Sequence, residues 1–82
     1  MHEYHLIEPM IKEILKTAAD RKAVKIVKVT LVLGDKKGFD EGSVRLYFET
    51  LGEGTILAGA EVVINPLVGS KEFYIENIEI EE

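Results

Sequence analysis

Residues 5–19, "HLIEPMIKEILKTAA", set apolar side chains at 6, 7, 10, 11, 14, 15 and 18. This is the i, i+3, i+4, i+7 stripe of an amphipathic helix, and Lys12, Glu13 and Lys16 fall on its outer face. Pro9 bears on where that helix starts, because proline is comfortable only in a first turn, where its missing N–H has no helical partner. Either the regular helix begins near His5 to Ile7, or it begins earlier and bends at Pro9. In the second case the His5 carbonyl loses its helical donor.

The period then changes to two. "VKIVKVTLVL" (24–33) is rich in β-branched residues and predicts a strand. Val27, Val29, Leu31 and Leu33 are expected on one apolar face, with Lys28 and Thr30 punctuating the other; Ile26 and Val32 on that second face imply that it too is partly covered. "GDKKGFDEG" reads as a turn-rich loop ending at Asp40, an expected N-cap for a second helix that carries Val44, Tyr47, Phe48 and Leu51 on one side. Gly52 is expected to end this helix in the C′ role. "EGTILAGA" connects to a strand, "EVVINPL", where Pro66 marks a strand end or a sheet edge. After "VGSK" comes the last strand, "EFYIENIEIE". In it Phe73 and Ile75 keep one phase, Ile78 and Ile80 the other, and a bulge near Glu76-Asn77 would bring all four to one face.

The order helix-strand-helix-strand-strand predicts a small two-layer α+β domain, a three-stranded sheet with two amphipathic helices on one face. The 82 residues are expected to form a single domain, 1–82.

Composition narrows the function classes. A net charge of −5 argues against nucleic acid, whose phosphates need a basic stripe. No apolar run approaches the length of a membrane span and no secretory leader pattern is visible, so the expected location is cytoplasmic. With no cysteine there is no thiol nucleophile and no Cys-type zinc site. Ser43 and Ser70 have no histidine near them in sequence, and "GEGTILAG" has neither dinucleotide spacing nor a P-loop lysine. The expectation is a protein that is not an enzyme.

The remaining chemistry is at the start, "MHEYHL", which holds both histidines. In an amino-terminal X-His sequence the α-amine, the second residue's amide nitrogen and its imidazole can close on one ion. Loss of the amide proton selects Ni(II) or Cu(II), which favour tetragonal nitrogen coordination. The fourth position would fall to Glu3, His5, water or a partner's ligand. A histidine near a chain start is also common without any metal, and His5 fits that reading as a polar residue of the first helix.

"MHEY" at the start, "KVTLVLGD" in the first strand, "FETLGEGTILAGAEVVI" in the middle and "IENIEIEE" at the end resemble the HypA family. These are nickel metallochaperones for maturation of [NiFe]-hydrogenase and, in some organisms, urease. The resemblance spans nearly all of residues 1–66 and 72–82, in order. It implies Ni(II) binding at Met1 (amine), His2 (imidazole and amide) and Glu3 (backbone or side chain), with His5 as an optional further ligand. It also implies two partners, a HypB-type maturation GTPase and the hydrogenase large subunit. Two departures stand out. The family's zinc domain, with its paired Cys-x-x-Cys motifs, is replaced here by "NPLVGSK", a turn near 66–71 long enough only for a hairpin, so no zinc is expected. His5 and Pro9 also differ from the small residue and regular helix usual after "MHE". The alternative from another class is a metal-independent interaction module, a zinc-less relative that binds a maturation GTPase or a second copy of itself.

Overall fold

The computed structural model describes residues 2–82, and of His2 the backbone alone. The element order is α1 (His2–Asp20), β1 (Lys25–Gly34), α2 (Glu41–Gly52), β2 (Glu61–Leu67) and β3 (Phe73–Glu81). The strands form one sheet in the order β2-β1-β3, with β1 parallel to β2 and antiparallel to β3. The expected two-layer α+β architecture is therefore present. Ile7, Ile11, Ile14 and Ala18 of α1 and Val44 and Phe48 of α2 are buried against Ile26, Val29, Leu31 and Leu33 of the central strand. Leu57, from the connection after α2, closes that core beside Ile64 of β2.

The strand faces differ from the sequence expectation at one point. The β1–β3 register slips between Ile26 and Lys28, so Val27 sits in a bulge. Ile26 thereby joins the core face and is fully buried, whereas Val27, expected there, is 43% exposed. The expected second bulge is present: Thr30 pairs with Asn77 and Leu31 with Ile75, which leaves Glu76 unpaired. It brings Phe73, Ile75, Ile78 and Ile80 together against the core.

The segment after β2 is not a hairpin. β2 and β3 flank β1 on opposite sides, so residues 68–72 cross the end of β1. Gly34 makes that crossing fit, since a Cβ there would lie 2.2 Å from the Ser70 carbonyl oxygen and 2.5 Å from its carbon. The crossing is pinned by the Gly34 N–H donating to the Glu72 carbonyl (2.7 Å), the Lys36 N–H to the Ser70 carbonyl (2.8 Å) and the Gly69 N–H to Asp35 Oδ1 (2.8 Å).

Gly52 likewise has a role other than the expected one. It is the last residue of α2 rather than a left-handed C′, and a side chain there would press on Leu57 at 3.3 Å. The left-handed conformation falls two residues later, at Gly54 (φ 76°). Just beyond it, the Thr55 hydroxyl donates to the Gly52 carbonyl (2.7 Å) and accepts from the Leu57 N–H (3.1 Å). The "EGTIL" stretch thus anchors Leu57 in the core.

β2 is an edge strand, as Pro66 implied. Its Leu67 carbonyl accepts the Asp35 N–H (3.0 Å), which fixes the alternation of the parallel ladder. Glu61, Val63, Asn65 and Leu67 turn their backbone groups toward β1; Val62, Ile64 and Pro66 turn theirs to the open side. Pro66 therefore withholds no ladder donor.

Candidate metal centre

Sequence dictates how the chain start is built. α1 begins at His2 and runs through Pro9, the second of the two arrangements the proline allowed. Pro9 lies on the exposed side, so its ring meets solvent and the His5 carbonyl it leaves without a donor is open to water. The first turn holds one acid, Glu3, favourably placed toward the positive end of the helix dipole.

Glu3 does more than complement the dipole. Its Oε2 accepts the backbone N–H of Asp40 at 2.9 Å. Asp40 in turn is the N-cap of α2, its Oδ2 accepting from the Ser43 N–H at 3.0 Å. The carboxylate of one helix start thus ties down the cap residue of the other. Tyr4 reinforces the junction, packing edge-on against Tyr47 of α2 with ring centroids 5.9 Å apart. Its hydroxyl donates to Glu8 Oε2 at 2.9 Å. That bond, then the Glu8 charge and a small loss of hydration, raises the Tyr4 phenol above its usual 10.0.

The expected ligands divide as follows. The Met1 amine and the His2 imidazole lie outside the described residues. Glu3 is half-buried and faces α2, where its carboxylate is engaged by Asp40. His5 is exposed, and its ring meets the edge of Tyr4 at a centroid distance of 6.1 Å. Two residues apart on a helix do not face each other, so the Glu3 and His5 side chains do not converge. Among the described residues no three His, Asp or Glu side chains gather as a metal-holding group.

Sequence reading missed the Glu3–Asp40 bond and the Tyr4–Tyr47 contact. Both join positions more than thirty residues apart, beyond the reach of local spacing. A faint signal existed in the tyrosine at position 47, assigned to the buried side of α2 yet carrying a polar tip that belongs near a surface.

Comparison with known proteins places the chain by sequence and by fold. The family described as "Hydrogenase/urease nickel incorporation, metallochaperone, hypA" matches residues 1–72. A hydrogenase maturation factor HypA of Caldanaerobacter subterraneus subsp. tengcongensis is 31% identical over 114 residues, spanning 99% of this chain and 100% of its own. That alignment is longer than the 82 residues of this chain, so the relative carries positions with no counterpart here. The HypA of Dehalococcoides mccartyi strain 195 is 38% identical over 60 residues, covering 73% of this chain and 50% of that protein. Among solved structures, the Ni metallochaperone HypA from Helicobacter pylori shares the fold, with a TM-score of 0.61 at 16% identity over 95% of this chain and 85% of that one. The motifs, the two-layer fold and these matches agree, and the chain belongs to the HypA family of hydrogenase and urease nickel-incorporation metallochaperones.

Proposed function

We propose that this protein is a nickel metallochaperone for hydrogenase maturation that takes up Ni(II) at the start of α1 and passes it on. The observation that carries the reading is the family match over residues 1–72, which includes the Met-His-Glu start. In the proposed site the Met1 amine, the His2 amide and imidazole and the Glu3 backbone amide surround the metal, with His5 as an optional further ligand. Local physics supports this set. The first N–H groups of a helix have no intrahelical acceptor, so deprotonating the amides of residues 2 and 3 removes no helical bond.

The chain supplies no catalytic residue in this reading; it holds and releases an ion. Its partners would be a HypB-type maturation GTPase and the hydrogenase large subunit, and its location cytoplasmic. No helix among the described residues is long and apolar enough to cross a membrane. Residues 1–82 would act as a single nickel-binding domain without bound zinc, with the short crossing at 68–72 in the place of the family's zinc domain.

The test is Ni(II) titration of protein with a free amino terminus, beside His2→Ala and a form blocked at the terminus. Loss of tight binding in both altered forms is expected, and equal affinity across the three would overturn the chelate. Imidazole coordinates only when neutral, so affinity should fall as pH drops through roughly 6 to 7.

A further inference from the structure

We propose that the sheet face turned away from the helices is a docking surface for a basic amphipathic helix of another protein. α1 and α2 both bury their apolar residues on the side of Val29, Leu31 and Leu33, and among the described residues no element covers the other side. Thr30 and Val32 lie at the centre of that open side and are nearly buried, because side chains of both flanking strands stand over them. One such pair spans from β2 to β3, the Asn65 amide donating to Glu76 Oε1 at 3.4 Å. Both bulges of the sheet enlarge this face. In each, two residues of one strand turn to the same side as the single residue opposite them. Val27 therefore joins Lys28 over Glu79, and Glu76 joins Asn77 over Thr30. The first bulge adds an apolar side chain, the second a carboxylate. Leu67 and Tyr74, 37% and 41% exposed, stand on the same side as Val27, with half-buried Val63 among them.

The charge of this face selects the partner. Glu61, Glu76, Glu79 and Glu81 point this way, against Lys25 and Lys28. Both lysines are already engaged: Lys28 lies 3.9 Å from Glu79, and Lys25 donates to the Ala58 carbonyl at 3.0 Å. Carboxylates in excess around exposed apolar side chains favour a partner that carries Lys or Arg beside its own apolar residues. The same carboxylates repel acidic surfaces, including a second copy of this chain, whose net charge is −5.

Dimensions point to a helix as the occupant. Three strands set the outer two about 10 Å apart, the width of one helix with its side chains. β2, 7 residues long, gives the face a length of about 23 Å, or roughly four helical turns. A strand gains nothing here, because the face of a sheet presents side chains and keeps its backbone N–H and C=O groups in the ladders. A helix with an apolar stripe can seat it along Val27, Val63 and Tyr74 and reach the carboxylates on either side with flanking cations. No metal enters this recognition.

The experiment titrates the isotope-labelled, metal-free chain with two synthetic helices of about 15 residues and follows the amide resonances by NMR. Both peptides carry leucine at the i, i+3, i+4 and i+7 positions; one has lysine on its flanks and the other glutamate. The lysine peptide should shift Val27, Val63 and Tyr74 and leave the exposed residues of α1 and α2 in place. The glutamate peptide should bind at least about tenfold more weakly. Tyr74→Ala and Glu76→Lys, both at exposed positions and checked for fold by circular dichroism, should each weaken the lysine peptide about fivefold. Glu13→Lys makes the same charge change on the outer face of α1 and should leave affinity within about twofold. Shifts centred on α1 or α2, equal affinity for the two peptides, or no loss in Tyr74→Ala overturns the proposal. So does an equal loss in Glu13→Lys and Glu76→Lys, or the same shifts appearing when the protein alone is concentrated.

Discussion

Removing the Glu3 carboxylate separates a structural role from a metal-binding one. In Glu3→Ala the Asp40 N–H loses its 2.9 Å acceptor, and α1 loses the acid in its first turn. A charge-assisted bond at a half-exposed site contributes about 1 kcal/mol, and the dipole term adds roughly 0.3 to 0.5. The expected loss is therefore about 1.5 kcal/mol, or a fall in Tm of roughly 6 to 12 °C for a domain of this size. Glu3→Gln keeps a carbonyl that can accept from Asp40 and gives up the charge, so its cost should be about half. Urea denaturation of the metal-free protein followed by circular dichroism measures both. The same proteins are then titrated with Ni(II). Because the carboxylate is bound to Asp40, Glu3 would serve the metal through its backbone amide, and both variants should bind nickel within about twofold of the parent. A tenfold loss of affinity in Glu3→Gln, with stability unchanged, would refute this and make the carboxylate a ligand.

Other outcomes follow from the same geometry. Gly34→Ala drives a methyl into the Ser70 carbonyl and should cost about 3 kcal/mol by displacing the crossing and its hydrogen bonds, whereas Gly38→Ala, in open space at φ 84°, should cost about 1; equal losses in thermal melts would contradict the steric explanation. Tyr4 should titrate later than an ordinary phenol, and Glu8→Gln should bring it back down, as read by ultraviolet absorbance. A folded phenol held above its unfolded value contributes stability that is complete below about pH 10 and is lost as pH rises through the raised value, so Glu8→Gln should also flatten the alkaline limb of the stability profile. His5→Ala should leave the folding midpoint in place, because the ring is exposed, and any change in nickel affinity then reports its part in coordination directly.

Much of the scaffold was legible because burial imposes a period. The stripe from Ile7 to Ala18 and the alternation of Val29, Leu31 and Leu33 are the signatures of one-sided burial. Asp40 could be read as a cap from its place before an amphipathic run. The Glu76 bulge showed as a break in phase, since the isoleucines on either side had to reach the same core. The bulge at Val27 left no such trace: in "KIVKV" the residues at 26 and 27 are both apolar, and either phase is chemically reasonable. Gly52 was misread because a glycine at a helix end suits both a left-handed turn and a close approach, and only the neighbouring Leu57 distinguishes them. For the candidate site, spacing proposed a set of donors, but the competing claim of Asp40 on Glu3 depends on two helix starts meeting in space.

The passage of residues 68–72 over the end of β1 has a consequence for how this fold can vary. β2 and β3 each take their alignment from the central strand and none from one another. The segment joining them therefore carries no register information, unlike a tight turn, whose length fixes which residues pair. Chain added between Leu67 and Phe73 would forfeit the few bonds at Gly34 and Asp35. Beyond that, closure costs only about 0.6 kcal/mol for each doubling of loop length. This end of the sheet is thus a port through which a whole module can be gained or shed while both ladders, and the helix starts on the other layer, stay as they are.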